Sequence, residues 1–137
     1  MSTSQTLLSV GAVILLSIVS LSIGRMYVQS VHNSVDHQHT NDALNLGRDL
    51  SEEIQSYAFK YDELEADFGD LSDVTNPARR RTFPSEAGEL FYVTYELEAD
   101  EELVHGQGGH IVTIRIFMEQ KSQYTKKAEY VTAVLPM

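Results

Sequence analysis

Three kinds of residue are scarce in this 137-residue chain: cysteine, proline and, near its start, charged residues. Cysteine is absent altogether, which excludes a disulfide framework, a thiol nucleophile and a cysteine-ligated metal. Proline first occurs at Pro77, so no proline breaks a helix in the first half of the chain. No charged side chain lies between Thr6 and Gly24. The beginning of the chain is therefore free to form a long, uncharged helix.

Basic residues are also few, since ten lysines and arginines stand against twenty aspartates and glutamates. All of these charges lie after residue 24, so the water-facing part of the chain is strongly acidic. Its negative charge repels nucleic acid and anionic lipid headgroups, and we expect no nucleic-acid partner. This part has about 110 residues, which is the size of one small domain.

The apolar run from Leu7 to Ile23 is long enough to cross a bilayer as a helix. The residues before it are polar but uncharged, and the run exceeds the usual 7–15 residues of a signal-peptide core, which disfavours a cleaved signal peptide as the alternative. Ser20 and Gly24 are four residues apart, a spacing that lets helix backbones approach closely. This favours packing against copies of itself, whereas a generic single span remains the simpler reading.

Apolar residues continue beyond this run at intervals of three and four residues, close to the period of a straight helix. They are Val28, Val31, Val35, Ala43, Leu46, Leu50, Ile54, Tyr57, Tyr61 and Leu64. We predict one extended helix, about 80 Å long. Residues 1–24 form its transmembrane or filament-core segment, and residues 25–67 form an amphipathic continuation. Thr40, Asn41 and Asp42 are good N-cap residues, so a pause or restart before Ala43 is an alternative.

The second half of the chain predicts a loop and then a small sheet. Residues 68–89 are rich in Gly, Pro, Asp, Ser and Thr, which indicates a long loop. Residues 90–137 contain three alternating stretches, Leu90–Leu97, His110–Glu119 and Lys127–Leu135, separated by turn residues. We predict an antiparallel three-stranded sheet covered by the amphipathic helix, which makes the fold class α+β.

Within the predicted loop, Arg79, Arg80 and Arg81 stand out against the acidic background. One interpretation is an intersubunit charge patch that meets acidic residues of a neighbouring subunit. The other is a solvated run of charge with no specific partner.

No residue pattern in the chain indicates catalysis, a cofactor or a metal. His32, His37 and His39 lack the helical spacing that would bring imidazoles together on zinc. The acidic residues between Asp62 and Asp73 lack the ordered ligand spacing of a calcium loop. No nucleophile motif or phosphate-binding loop is present, so we expect a protein that is not an enzyme.

This order of elements resembles that of type IV pilins and pseudopilins over essentially the whole chain. The segment from Ser4 through Ala12 to Arg25 is similar to the start of a divergent group of pilin-like proteins, and Gln5 stands where the family has glutamate if Met1 is counted as the first mature residue. The resemblance implies a structural subunit of a type IV pilus-like extracellular filament, used in adhesion at the cell surface. It also implies an inner-membrane stage before assembly and the pilus assembly machinery as a partner.

In that picture the chain's main partner is itself, in a helical homopolymer held by its apolar helix. The predicted assembly core comprises Leu7, Leu8, Gly11, Ile14, Leu15, Ile18, Leu21, Gly24, Val28, Val31 and Val35. The alternative function is a monomeric, single-pass, membrane-tethered extracytoplasmic binding module, with the sheet as its recognition surface.

Overall fold

The structure is a computed structural model that describes residues 2–137. Its backbone contacts divide the chain into two units, one up to Gln38 and the other from His39 to Met137. The first unit is helical from Thr3 onward, and the second combines helix and sheet. The elements agree with the predicted α+β class. In chain order they are α1 (Thr3–Ser56), α2 (Leu64–Phe68), β1 (Arg81–Pro84), β2 (Leu90–Val104), β3 (Gln107–Gln120) and β4 (Gln123–Val134).

Helix α1 runs without interruption from Thr3 to Ser56. The polar stretch before Ala43 neither breaks nor restarts it, because no proline or forced turn is present there. The α-helical conformation ends earlier than the expected boundary at residue 67. A 3₁₀ segment, Tyr57–Glu63, follows it with non-helical dihedral angles at Lys60, and α2 then continues to Phe68.

The core of the second unit forms where one face of α1 packs on the sheet. The expected stripe is found there, since Ala43, Leu50, Ile54 and Tyr57 are buried and Leu46 is partly buried. Their spacing of three and four residues places them on one side of the helix. The side chains that they cover come from alternate positions of three strands: Phe91, Val93, Tyr95, Val112, Ile114, Ile116, Met118, Ala128 and Val134.

The sheet has four antiparallel strands in the order β1-β2-β3-β4, so the predicted three-stranded sheet was one strand short. The additional strand is β1, which lies inside the predicted loop and pairs with the first residues of β2. It is only four residues long and ends in Pro84, so it offers too little alternation to be recognised as a strand. Its position at an edge is the one that a strand proline tolerates.

The two long hairpins close with tight turns in which the backbone needs positive φ. His105 and Gly106 connect β2 to β3 at φ values of 48° and 80°. Lys121 and Ser122 connect β3 to β4 at 52° and 64°, as in a two-residue type I′ hairpin. Each turn is shorter than predicted, because residues that had been assigned to the turns continue the strands.

Candidate interaction surface

The first unit is an apolar helix whose side chains have no cover within it. Every residue from Ser2 to Gln38 is exposed, and the exposed fraction is 72% for Leu7, 64% for Leu15 and 43% for Val35. An 18-residue window of this helix has a mean hydropathy of 2.4 and none of it is buried. A helix of this length and hydropathy could span a membrane or act as a signal sequence. Water is an unfavourable environment for so much apolar surface.

Three serines in this helix donate their hydroxyl groups to the helix backbone. Ser9 donates to the backbone oxygen of Gln5 at 3.0 Å, Ser17 to that of Val13 at 2.9 Å, and Ser22 to that of Ile18 at 3.0 Å. Each bond runs back one turn along the helix, so the hydroxyl needs no outside partner. These three serines therefore do not oppose transfer of the helix into a dry environment.

Gly24 leaves a depression on the helix surface of about 580 Å³, lined among others by Ser20, Leu21 and Val28. A Cβ atom added at Gly24 would meet nothing within 4 Å, and the same is true at Gly11. Neither glycine is thus required by the packing of the chain around it. All the predicted assembly residues from Leu7 to Val35 lie on this uncovered helix, and nothing in the chain's own fold tests their contact with another copy.

The three consecutive arginines point their guanidinium groups into contacts within the chain. Arg79 donates to the backbone oxygen of Asp70 at 3.2 Å and to Ser72 Oγ at 2.9 Å. Arg80 and Arg81 have separate partners on different sides of the sheet. The contacts give these residues an internal role, and the intersubunit charge patch stays a prediction.

Arg80 fastens the loop before β1 to the outer face of the sheet. Its Cζ lies 4.0 Å from the centroid of the Tyr92 ring and 5.5 Å from that of Tyr124. The same guanidinium donates to the backbone oxygen of Val74 at 2.7 Å and to Tyr124 Oη at 2.8 Å. Stacking and hydrogen bonding together make this contact specific for arginine.

Arg81 lies on the inner side of the sheet, between α1 and β2. Its Nη1 atom is 3.3 Å from Glu53 Oε1 and donates to Tyr95 Oη at 3.0 Å. Burial raises the pKa of Tyr95 to about 12, although the Arg81 charge and hydrogen bond act in the opposite direction. The neighbouring Tyr57 also has its pKa raised to about 12, chiefly because its hydroxyl donates to Asp67 Oδ2 at 2.7 Å.

This network was not foreseen from the sequence, in which Arg81 appeared as the end of a surface charge run. Its partners Glu53 and Tyr95 are 28 and 14 residues away, so no local spacing connects them. Arg81 directly precedes Thr82 and Phe83, and this short stretch shows no pattern from which a buried pairing could be predicted.

In the described part of the chain, residues 2–137, the histidines and acidic residues do not assemble into a recognisable metal site. Among residues 2–137, no group of three or more His, Asp or Glu side chains is arranged to hold a metal ion. His32 and His37 are exposed, while His39 is buried with its Nδ1 atom unpaired. In the acidic stretch, two hydrogen bonds from Thr75 lower the pKa of Asp73.

Comparison of the chain with protein-family models, with curated proteins and with solved structures gave no significant match. The resemblance to pilins therefore extends as far as the architecture, a long N-terminal apolar helix followed by an antiparallel sheet on which its later turns pack.

Proposed function

We propose that this protein is a structural subunit of a type IV pilus-like extracellular filament that polymerises through its N-terminal helix. One observation carries the proposal: α1 is uncovered and apolar over its first part and is packed on a sheet over its second part. A helix that only anchored a domain would need apolar residues for about 20 positions. Here exposed valines continue past Arg25 at Val28, Val31 and Val35.

The proposal has the chain start in the inner membrane and end in the filament. In both environments the backbone of the helix is satisfied internally, so lipid around the side chains can be exchanged for protein. The internally bonded serines fit both stages equally well. Transfer between them would be the task of the pilus assembly machinery, as the resemblance to pilins implies.

In the filament the helices would lie inside and the acidic sheets outside. The second unit carries most of the chain's negative charge, and like charges spaced on the outside remain solvated there. Copies related by a rotation and a rise that does not close form an open helical polymer. The proposed role is structural and at the cell surface, with adhesion as its use, and needs no catalytic group.

The proposal is tested by Leu15→Asp, made in the full chain and compared with Leu44→Asp. Leu15 lies at the middle of the apolar run, where a carboxylate costs about 2.5–3.5 kcal/mol in a bilayer and similarly in a dry helix bundle. Leu44 is exposed on the part of α1 that packs on the sheet, so the same substitution there serves as the control. Filaments sheared from cells are pelleted and viewed by electron microscopy. We expect fibres from the control and none from Leu15→Asp; normal fibres from both would refute the proposal.

A second candidate is the monomeric, membrane-tethered binding module. It is favoured by the length of the uncharged run, which matches a single bilayer crossing. Gly24→Leu separates the two functions, because nothing within 4 Å of Gly24 obstructs a side chain in the monomer. The substitution raises hydropathy and preserves a membrane anchor, but it fills the depression that close helix packing would use. If Gly24→Leu abolishes fibres while membrane insertion stays normal, the filament is supported. If the unsubstituted protein and the variant are both monomeric and both insert normally, the tether is supported.

A further inference from the structure

Arg25 is a single cation on the otherwise uncharged first part of helix α1. No other Lys, Arg, Asp or Glu occurs from residue 2 to residue 35. The ion pairs among residues 2–137 are made by Arg81, Arg115 and Lys126, and Arg25 takes part in none of them. The side chain of Arg25 is exposed. Its guanidinium, which carries five N–H donors, is therefore free to bind an anion from outside the chain.

Arg25 stands where the apolar run reaches the length of a bilayer crossing. Residues 7–24 are uncharged, and as a helix they extend about 27 Å along the axis. The hydrocarbon core of a bilayer is about 30 Å thick. Helix α1 does not end at this point, since it runs without interruption to Ser56. The boundary at residue 25 is therefore marked by side chains and not by the backbone.

The residues that follow Arg25 are typical of a membrane–water interface. Tyr27 is 71% exposed, and a tyrosine is favoured at the level of the lipid headgroups, because its ring is apolar and its hydroxyl is polar. Gln29, Ser30 and His32 come next, and all three are exposed. An arginine side chain is long enough to hold its charge among the headgroups while its methylene groups stay against the acyl chains.

We propose that Arg25 binds the phosphate groups of membrane lipids and, together with Tyr27, fixes the depth of α1 in the bilayer. Phosphate is common to zwitterionic and anionic phospholipids, and a guanidinium can donate two parallel hydrogen bonds to it. The hydrocarbon then ends near residues 25–27, so Val31 and Val35 lie beyond it. The inference rests on the membrane stage of the proposed function, a stage that the alternative membrane tether shares.

A carboxylate of a second copy is the competing partner for Arg25. The next acidic residue along α1 is Asp36, about 16 Å further along the helix axis. Two copies that lie at the same depth in a membrane therefore hold Arg25 of one and Asp36 of the other too far apart for an ion pair. Lipid phosphates, in contrast, surround the helix at the level of Arg25, which favours lipid as the partner.

Solid-state NMR tests the phosphate contact directly. Full chains with isotope-labelled arginine are placed in phosphatidylcholine vesicles, and the dipolar coupling between guanidinium carbons and lipid phosphorus is measured. We expect one coupled arginine carbon in the unsubstituted chain and none in Arg25→Gln. An unsubstituted chain without coupling, or coupling that persists in Arg25→Gln, would overturn the inference. The coupling should be the same after tenfold dilution of the protein in lipid, and a dependence on dilution would indicate a second copy in place of lipid.

The absence of cysteine allows the depth of the helix to be measured by thiol labelling. Full chains that each carry one cysteine, Leu21→Cys, Val28→Cys or Asn33→Cys, are reconstituted in the same vesicles and treated with a membrane-impermeant maleimide. Each labelling rate is divided by that of the same chain unfolded in urea and detergent. We expect Leu21→Cys to react several-fold more slowly than Asn33→Cys. Equal rates would place both residues in water and contradict a boundary between them.

Substitution of Arg25 then tests whether this residue sets the depth. Arg25→Leu extends the apolar run to residue 28, so the helix should move deeper by about one turn and Val28→Cys should label several-fold more slowly. Arg25→Lys keeps the cation and should leave the rate nearly unchanged. The matched control is Arg48→Leu, which makes the same change at an exposed position of the second unit. If Arg25→Leu has no effect, or no more effect than Arg48→Leu, Arg25 does not set the depth.

These outcomes are separate from those of the filament assay, because the vesicles contain no assembly machinery. A phosphate contact in vesicles without fibres from cells supports the lipid contact of Arg25 and counts against the filament. Fibres from cells without a phosphate contact in vesicles overturn the lipid contact and leave the filament standing.

Discussion

The two parts of helix α1 have the same secondary structure and opposite surroundings. From Leu7 to Val35 the apolar side chains are exposed, whereas the exposed fraction of both Ala43 and Ile54 is 0%. Both parts are continuous, uninterrupted helix. Helix formation is therefore insensitive to whether the apolar face is covered, because its hydrogen bonds are made within the segment.

The difference lies in where the covering partner comes from. The chain supplies a sheet for the later part of α1, and that sheet accounts for the amphipathic pattern there. Among residues 2–137, none covers the earlier part, in which exposed apolar residues occur all around the helix. Each 100 Å² of such surface left in water costs about 2.5 kcal/mol, so an aqueous environment is unfavourable for the first part.

The strongest test of this comparison is the pair Ile54→Ala and Ile14→Ala. Ile54 is fully buried under the sheet, and removing its side-chain atoms should lower the free energy of unfolding of the second unit by about 2–5 kcal/mol. Ile14 is exposed, so its truncation should leave that free energy unchanged. Thermal unfolding of the full chain in detergent, followed by tyrosine circular dichroism, measures both. Equal losses would show that the two parts are not distinct.

Alkaline pH tests how tightly the packed part of α1 seals the core. The pKa of Tyr95 rises from 10.0 to about 12 in the folded protein, so the folded state holds this proton more strongly. The resulting stability is fully present below pH 10 and is lost as the pH rises towards 12, by about 2–3 kcal/mol. Tyr95→Phe should flatten the fall in unfolding free energy over this range. A pH titration of stability that is identical in both proteins would contradict the burial of Tyr95.

The same substitution, glycine to alanine, can be compared at two positions of α1. A Cβ added at Gly47 would lie 2.4 Å from Cδ2 of Tyr130, whereas one added at Gly24 meets nothing within 4 Å. Gly47→Ala should destabilise the second unit by about 1–3 kcal/mol through overpacking. Gly24→Ala should leave its melting temperature unchanged. The two melting curves, recorded side by side, decide the matter, and a stable Gly47→Ala variant would mean that the Tyr130 ring moves aside.

The smallest effect is expected on the outer face of the sheet, where α1 contributes nothing. Glu129 accepts from Lys126 at 2.6 Å, and this contact holds the pKa of Glu129 below its usual value. The stability that it provides is present above the unfolded pKa near 4.5 and is lost as the pH falls further. Glu129→Gln should reduce the loss of folding stability at acidic pH only slightly, because exposed ion pairs contribute little. Glu65→Gln, at an exposed position of α2, is the control in the same acid titration.

The strands and the helix were predictable where a period in the sequence matches a period in the structure. The stripe at Ala43, Leu50 and Ile54 identified the buried face of α1, because a helix turns once every 3.6 residues. The alternation at Val112, Ile114 and Ile116 likewise identified β3. Strand β1 was missed because four residues that include an arginine and a proline show no period at all.

The contacts of the arginines were not predictable for a different reason. Arg80 and Arg81 are adjacent in the chain, yet one stacks on Tyr92 outside the sheet and the other meets Glu53 beneath it. Arg80 has extended dihedral angles and Arg81 begins the strand that pairs with β2, so their side chains point to opposite faces. The sequence indicates a run of positive charge. Only the extended backbone places Arg80 and Arg81 on opposite faces of the sheet.

The sequence by itself determined that the first part of the chain is an uncharged apolar helix and that the acidic remainder contains an amphipathic helix and alternating strands. These features depend on composition and local spacing, which act within a few residues. Only the tertiary structure decided that a short fourth strand leaves part of β2 unpaired, and that β4 forms the other open edge. Strand pairing joins residues that are distant in the chain, so its extent is set by the folded sheet as a whole.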